Sequence, residues 1–277
     1  MRLRLLLVAV LAGAVAAGGI GLAHRLRPGR VRDGSAAAHG ATVIRYDVRS
    51  RYVHATLPQV AATPAGGGEG RPLLVFLHGR GADGEEGNAN GDFFAGLRAL
   101  GDRAPDVVFP NGGEGSYFHT RGSGDWARYV LDEVIPQAVR RLHADGRRVA
   151  IGGISMGGFG AFDIARQRPE RFCAVGGHSA ALWVRGADTA PGAFDDAADF
   201  ARNDVIRLAR AGGRAPWGRA RLWLDGGTGD PFRAADEAFG AALGIPVRHW
   251  AGGHHGSYWR AHYARYLRFY AAALAAC

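Results

Sequence analysis

Residues 152–161 read GGISMGGFGA, with one serine among five glycines. The stretch follows the run RRVAI and precedes a segment with helical spacing, which predicts a tight turn from a buried strand into a helix. Gly153, Ser155 and Gly157 form the motif G-x-S-x-G, in which small neighbours leave room for a strained serine backbone. The turn would hold the Ser155 hydroxyl out at the end of the strand, in front of the N–H groups of the helix N-terminus. The alternative is a glycine-rich turn with an idle serine.

Two histidines are candidate bases for Ser155, in the segment HWAGGHHGSYW after the last predicted strand. A serine hydroxyl is a weak nucleophile at neutral pH and needs a base beside it. His254 and His255 are adjacent, so only one of them can point at Ser155. A surface pair of histidines is the alternative interpretation.

Two aspartates are candidates for the acid that orients such a histidine and stabilises its charged form. Both lie in the segment RLWLDGGTGDPF, between the serine and the histidines. Asp225 closes a predicted strand, and Asp230 follows a glycine turn. Spacing alone does not separate the two, so both stay open from the residues themselves.

Two backbone N–H groups are expected to bind the negative oxygen that develops when a serine attacks a carbonyl. One is predicted at Met156, the residue after the serine, and the other at Arg80, in the loop after the run PLLVFLHG. His78 in the same loop is predicted to hold the loop rather than to take part in the reaction.

Predicted strands and helices alternate along the chain, and the inner strands lack a polar face. Apolar runs such as residues 72–79 are typical of strands covered on both sides. The pattern predicts an α/β fold, with a mostly parallel central sheet and helices on both faces. A hairpin is predicted at residues 42–60, followed by a loop at residues 61–70. Pro136 is expected to interrupt a helix at residues 125–143.

The amino terminus reads MRLR and continues into an apolar run of 19 residues, 5–23. A short basic stretch before an apolar run predicts export. The run is long enough to cross a bilayer, so a cleaved signal peptide and an uncleaved membrane tether both stay open. Residues 1–38 are assigned to this segment and a linker, and residues 39–277 to the catalytic domain, with a lid-like insertion at about 179–218. We expect a secreted or cell-envelope protein.

The net charge of +9 is carried by arginine alone, because the sequence contains no lysine. Six of the 34 arginines lie in the first 32 residues, where there is no acid, and the others are scattered. This distribution favours surface charge over a nucleic-acid-binding stripe, so no nucleic-acid partner is expected. No metal or other cofactor is expected either, because the histidines do not pair with acids or cysteines at metal-ligand spacings.

The chain has two cysteines, one in an apolar, strand-like run at Cys173 and one at the last residue, Cys277. Export would permit a disulfide, but the sequence does not show that the two meet. We expect a buried free thiol at Cys173.

Six segments between about residues 72 and 270 resemble the putative esterase branch of the α/β-hydrolase superfamily. This branch includes esterase D (S-formylglutathione hydrolase), the feruloyl esterases and the antigen 85 mycolyltransferases. The segments are LLVFLHGRG, VVFPNG, DWARYVLDEVIP, GGISMGGFGAFDIARQRPERF, LDGGTGD and AGGHHGSYW. The resemblance implies an α/β-hydrolase fold.

The resemblance also implies roles for individual residues. It places the nucleophile at Ser155, the acid at Asp230 and the base at His254. It places the two N–H donors at the residues already singled out, Arg80 and Met156. The chain departs from the branch directly after the base, where Asp-Trp is common and this sequence has His-Gly.

The expected function is therefore that of an exported serine hydrolase, which cleaves a small-molecule or cell-envelope ester through a Ser-His-Asp triad and an acyl-enzyme. The first alternative is an acyltransferase, in which an alcohol such as a sugar hydroxyl replaces water. The lower alternative is a non-catalytic binding protein on the same fold, and it is disfavoured because all three triad positions are filled.

Overall fold

The computed structural model describes residues 38–81 and 87–277. The predicted signal peptide or membrane tether, with its apolar run at residues 5–23, lies outside the described residues. Within the described ranges, no helix is long and apolar enough to cross a membrane.

Eight strands of the described chain form one sheet, in the spatial order β1-β2-β4-β3-β7-β8-β9-β10. Strand β2 runs antiparallel to both of its neighbours, and all the other neighbouring strands run parallel. The strands of this sheet are β1 (Thr42–Arg49), β2 (Thr56–Thr63), β3 (Pro72–Leu77), β4 (Asp106–Phe109), β7 (Asp145–Ile154), β8 (Ala174–His178), β9 (Arg221–Gly227) and β10 (Val247–Trp250). A separate short hairpin consists of β5 (Thr120–Arg121) and β6 (Gly124–Asp125).

Helices cover both faces of the sheet, as predicted. They are α1 (Gly91–Arg98), α2 (Trp126–Arg128), α3 (Ile135–Leu142), α4 (Met156–Gln167), α5 (Ala197–Asn203), α6 (Val205–Gly212), α7 (Arg233–Leu243) and α8 (Gly256–Ala275). Alternate residues of β3 enter two separate cores: Leu73 and Val75 pack with α4 on one face, and Phe76 packs with α1 and α8 on the other. The apolar run of β3 has no polar side because both of its faces are buried.

The amino-terminal hairpin is confirmed, but its second strand begins later than predicted. Ser50 makes a turn in which its Oγ accepts hydrogen bonds from the N–H groups of Tyr52 and Val53, at 3.1 and 3.2 Å. Arg49 therefore pairs with Thr56, and β2 extends to Thr63, into the predicted loop.

Pro136 interrupts the long helix as predicted. A π-helical segment, Tyr129–Val134, separates α2 from α3, and Pro136 is the second residue of α3. Proline lacks the N–H for an α-helical bond and crowds the carbonyl four residues earlier. The wider π turn removes that conflict without ending the helix.

The expectation of a free thiol at Cys173 is wrong, because Cys173 and Cys277 form a disulfide. The Cα atoms of the two residues are 5.7 Å apart. Cys173 lies just before β8, and the chain after α8 returns to that end of the strand. The sequence did not reveal the pairing because the residues are 104 positions apart and meet only in the folded chain.

Removing this disulfide should lower the thermal stability substantially. Closing a loop of this length restricts the unfolded chain and contributes about 2–4 kcal/mol. We expect Cys173→Ser/Cys277→Ser to lower Tm by roughly 5–15 °C, measured by thermal unfolding. The unreduced native protein should yield no thiol to alkylation, and alkylation of both cysteines without reductant would contradict the prediction.

Candidate active site

The carboxyl ends of four strands in the parallel part of the sheet bring the candidate residues to one edge. Parallel strands place their C-terminal ends side by side, and binding sites of such sheets form there. Arg80 follows β3, Ser155 follows β7, Asp230 follows β9 and His254 follows β10. Residues that are up to 174 positions apart in sequence therefore meet around one cleft.

Ser155 lies at the turn between β7 and α4, with φ 52° and ψ −117°. A non-glycine residue with positive φ costs about 1–3 kcal/mol and persists only where its surroundings hold it. Three backbone hydrogen bonds do so here: Ser155 N–H donates to His178 O at 3.0 Å, and Ser155 O accepts from Phe159 N–H and Ala181 N–H. The turn thus holds a residue that is only 8% exposed.

The glycines on either side of Ser155 are required by their contact with the end of β3. A Cβ atom at Gly153 would lie 2.6 Å from Leu77 O, and a Cβ atom at Gly157 would overlap the same carbonyl. Backbone atoms cannot move aside as a flexible side chain can. Any larger residue at either position would therefore push the turn away from β3.

His254 is the histidine that contacts Ser155. The Ser155 hydroxyl donates to His254 Nε2 at 2.8 Å, and His254 Nδ1 donates to Asp230 Oδ2 at 3.1 Å. The His254 side chain is 21% exposed and is bordered edge-on by the rings of Phe232 and Trp259. These contacts fix the imidazole between the hydroxyl and the carboxylate.

His255 points elsewhere. It precedes α8, where its Nδ1 accepts from the Ser257 hydroxyl at 2.8 Å and from Tyr258 N–H at 3.3 Å. The His-Gly pair that departs from the resemblance therefore caps a helix, and Ser155 keeps a single histidine partner.

Asp230 is the carboxylate that faces His254. Its side chain is fully buried, and Oδ1 accepts from Phe232 N–H at 2.9 Å. Burial acts to raise the pKa of Asp230, but the hydrogen bonds from His254 and from Phe232 N–H outweigh it and hold the pKa below its ordinary value. The carboxyl group therefore stays ionised beside the imidazole.

The loops that carry Asp230 and His254 are joined by hydrogen bonds between their backbones. Thr228 N–H donates to Trp250 O at 2.9 Å, and Gly229 N–H donates to Gly252 O at 2.8 Å. A Cβ atom at Gly227 would overlap Gly252 O, so this approach also depends on glycine. The hydrogen bonds fix the two loops relative to each other.

The structure separates the two aspartates that spacing left open. Asp225 is fully buried at the end of β9 and does not contact His254. It accepts four hydrogen bonds instead, from His178 Nδ1, Trp223 Nε1, Tyr258 OH and Tyr266 OH.

This Asp225 cluster was missed by the sequence analysis. Its only signal is a histidine that ends the apolar strand AVGGH, together with the tyrosines at residues 258, 266 and 270. Tyr270 OH completes the cluster by donating to His178 Nε2 at 2.9 Å. Since the members come from three elements, no local pattern would have joined them.

His78 holds the loop after β3, as expected. Gly112 N–H donates to His78 Nε2 at 2.9 Å, so Nδ1 carries the proton and donates to Gly79 O at 2.7 Å. Burial lowers the pKa of His78 to about 4, which keeps the ring neutral near pH 7.

Arg80 and Met156 stay predictions as N–H donors. Arg80 lines the cleft beside Ser155, and its guanidinium donates to Pro191 O at 3.0 Å. Met156 is the first residue of α4, where helical N–H groups have no partner within the helix. The contact with Pro191 ties the predicted lid-like insertion to the cleft, and the lid itself also stays a prediction.

The cleft around Ser155 has a volume of about 640 Å³. Its walls combine aromatic rings with two arginines: Tyr117, Phe232, Trp259, Tyr263, Arg80 and Arg260. A second cavity of about 440 Å³ shares Arg80 and Gly81 with it and is lined by polar residues, glycines and Trp126. In the described part of the chain, no group of three or more His, Cys, Asp or Glu side chains is placed to hold a metal ion.

Comparison with known families finds one that matches most of the chain. Residues 49–270 match the model of the family described as Putative esterase. Two curated proteins of Mycobacterium tuberculosis, Esterase MT1326 (strain CDC 1551 / Oshkosh) and Esterase Rv1288 (strain ATCC 25618 / H37Rv), are each 29% identical over 122 residues. The alignment covers 41% of this chain and 26% of each relative, so the chain spans about a quarter of the length of these relatives.

Solved structures share the fold along nearly their whole length. A ferulic acid esterase matches with a TM-score of 0.72 and 22% identity, over 84% of this chain and 98% of its own. An S-formylglutathione hydrolase from Agrobacterium tumefaciens matches with a TM-score of 0.69 and 19% identity, over 85% and 96%. The predicted α/β-hydrolase fold is confirmed.

The neutral His78 should make stability depend on acid pH. The unfolded state takes up a proton near the ordinary pKa of about 6.5, whereas the folded state does so only near 4. Stability is therefore lost as the pH falls through this window, by about 3 kcal/mol in total.

Denaturant unfolding between pH 7 and 4 would measure this loss, with His78→Gln as the comparison. His78→Gln should lose less free energy of unfolding between pH 7 and 4, because it has no imidazole to protonate. Burial raises the pKa of Asp106 to about 6. This group makes the free energy of unfolding rise as the pH falls, but it does so in both proteins and therefore cancels when the two are compared. Parallel curves for the two proteins would contradict the prediction.

Proposed function

The chain belongs to the putative esterase family, and we propose that it is a serine hydrolase that cleaves carboxylic esters by acylating Ser155. The observation that carries this proposal is the line of contacts from Ser155 Oγ through His254 to Asp230, with distances of 2.8 and 3.1 Å. A hydroxyl, an imidazole and a buried carboxylate in this order can activate the hydroxyl as a nucleophile.

Acylation begins when Ser155 Oγ attacks the ester carbonyl carbon and His254 Nε2 takes the hydroxyl proton. The carbonyl electron pair moves onto oxygen, where the N–H groups of Arg80 and Met156 are proposed to stabilise it. The tetrahedral intermediate then collapses, the bond to the alcohol breaks, and His254 gives its proton to the leaving alkoxide. Asp230 stabilises the imidazolium in between.

Deacylation repeats the sequence with water. His254 Nε2 removes a proton from a water molecule as the water oxygen attacks the acyl carbon. Collapse of the second intermediate breaks the bond to Ser155 Oγ, which recovers its proton from His254. The products are the carboxylic acid and the starting enzyme.

Export belongs to the same proposal. A basic stretch followed by the apolar run at residues 5–23 supports it, and so does the disulfide between Cys173 and Cys277. Disulfides persist in oxidising compartments and are rare in the cytosol. We therefore propose a secreted or cell-envelope enzyme that acts on small-molecule or cell-envelope esters.

A fluorophosphonate probe tests the nucleophile without a known substrate, because it phosphonylates only an activated serine. We expect rapid labelling of Ser155, identified by the mass of the modified peptide. Labelling should be absent in Ser155→Ala and should slow by about 10⁴-fold or more in His254→Ala. His255→Ala is the matched control and should be labelled at nearly the wild-type rate. A folded wild-type protein that is not labelled would contradict the proposal and favour a non-catalytic binding protein.

Acyl transfer is the second candidate, and the second cavity favours it. That cavity shares Arg80 and Gly81 with the catalytic cleft. An acceptor alcohol bound there would contact residues that also line the cleft around Ser155, and the proposal is that it competes with water for the acyl-enzyme.

Adding alcohols, including sugars, to a p-nitrophenyl ester assay separates the two candidates. Acyl transfer predicts that a new ester forms and the yield of free acid falls while p-nitrophenol release continues. Hydrolysis predicts one mole of free acid for each mole of p-nitrophenol at every alcohol concentration. Mass spectrometry of the products distinguishes these outcomes.

A further inference from the structure

Three segments that carry the proposed catalytic residues meet the buried Asp225 cluster described above. Ser155 N–H donates to the carbonyl of His178, a member of the cluster. Asp225 lies near the end of β9, five residues before Asp230. Tyr258 follows His254 by four residues and belongs to the first turn of α8. The cluster therefore lies directly behind the line of contacts from Ser155 to Asp230.

Tyr258 is the member of this cluster that reaches the loop of the base. Its hydroxyl donates to Asp225 Oδ2 at 3.2 Å. Its ring lies against Gly252, where a Cβ atom would come within 2.8 Å of Tyr258 Cδ2. Gly252 precedes His254 by two residues, and its carbonyl accepts the bond from Gly229 in the loop of the acid.

We propose that Tyr258, anchored on Asp225, is a positioning residue that holds the loop of His254 in register with Ser155 and Asp230. This inference rests on the proposed function, because it assigns how the base of that reaction is held. Tyr258 touches no reacting atom in this scheme. Its effect comes from alignment, since a misplacement of about 1 Å at a catalytic group can reduce the rate by about 100-fold.

Tyr258 is suited to act as a permanent donor. Burial and the negative charge of Asp225 both raise the pKa of Tyr258, so the hydroxyl keeps its proton over the whole working range. Asp225 has only acceptor oxygens when ionised, and all four of its partners donate. The contact therefore does not depend on a change of protonation during the reaction.

The chain offers a matched control in Tyr266. Its hydroxyl donates to the same oxygen of Asp225, at 2.9 Å, and it lies on the same helix. Both tyrosines are buried, but Tyr266 lies eight residues further from the base loop than Tyr258. Either substitution by phenylalanine leaves Asp225 with three donors. A purely structural role predicts similar effects of the two changes on the reaction.

Fluorophosphonate kinetics on the full chain separate reactivity from binding. For Tyr258→Phe we expect the maximal labelling rate to fall about tenfold, with the probe concentration at half-saturation changed less than twofold. For Tyr266→Phe we expect both quantities to stay within twofold of the wild type. The two variants should show similar losses of Tm. Labelling is followed to completion, so the rate refers only to correctly folded sites.

Equal rates for the two variants would overturn the proposal, as would a Tyr258→Phe protein that reacts at the wild-type rate. A double-mutant cycle adds a second measurement. Asp225→Asn should slow labelling at least as much as Tyr258→Phe, and adding Tyr258→Phe to it should cost no further rate. If the two substitutions instead slow labelling independently, so that their effects multiply in the double variant, the anchoring of Tyr258 by Asp225 is contradicted. If the wild-type protein is not labelled at Ser155, the proposed function itself is contradicted. That outcome is distinct from a failure of the Tyr258 proposal, in which the wild-type protein is labelled.

Discussion

The carbonyl of Leu77 at the end of β3 is approached by the turn around Ser155 so closely that neither Gly153 nor Gly157 can carry a side chain. This contact places two strand ends against each other, and most of the cleft follows from it. A Cβ atom at Gly79 would lie 3.5 Å from Ser155 Cβ, so the loop of Arg80 begins beside the hydroxyl. The glycines thus do more than permit a strained turn, because they bring the proposed nucleophile to the proposed N–H donor.

Three aspartates near the end of β9 show how the surroundings decide what a carboxyl group does. The carboxylate of Asp225 accepts from four donors, and that of Asp230 accepts from His254 and from Phe232 N–H. Both oxygens of Asp236 are buried and have no hydrogen-bond partner in the described part of the chain. Burial, together with the charges of Asp230 and Asp225, raises the pKa of Asp236 well above its ordinary value. A neutral Asp236 leaves the negative charge to the two groups that have donors.

The sequence was sufficient for the fold class because apolar runs and glycine turns are local signals. The same holds for the motif around Ser155, whose context is a strand before it and a helix after it. The choice between Asp225 and Asp230 was different, because the two lie within five residues of each other at the end of the same strand and only the position of His254 separates them. The pairing of Cys173 with Cys277 also depends on where α8 ends. Partners that are distant in sequence are visible only once the chain has folded.

Helix α8 connects these distant contacts, because it begins directly after the proposed base and ends at the disulfide. Its 20 residues span about 30 Å, so Cys277 is far from His254. The tyrosines that reach the Asp225 cluster, Tyr258, Tyr266 and Tyr270, lie between these two ends. A helix that loses its terminal crosslink frays first in its last turns. The contact of the Tyr258 hydroxyl with Asp225 would then still hold the first turn. We therefore expect the disulfide to act mainly on global stability, and the proposal assigns the geometry of the proposed base to Tyr258.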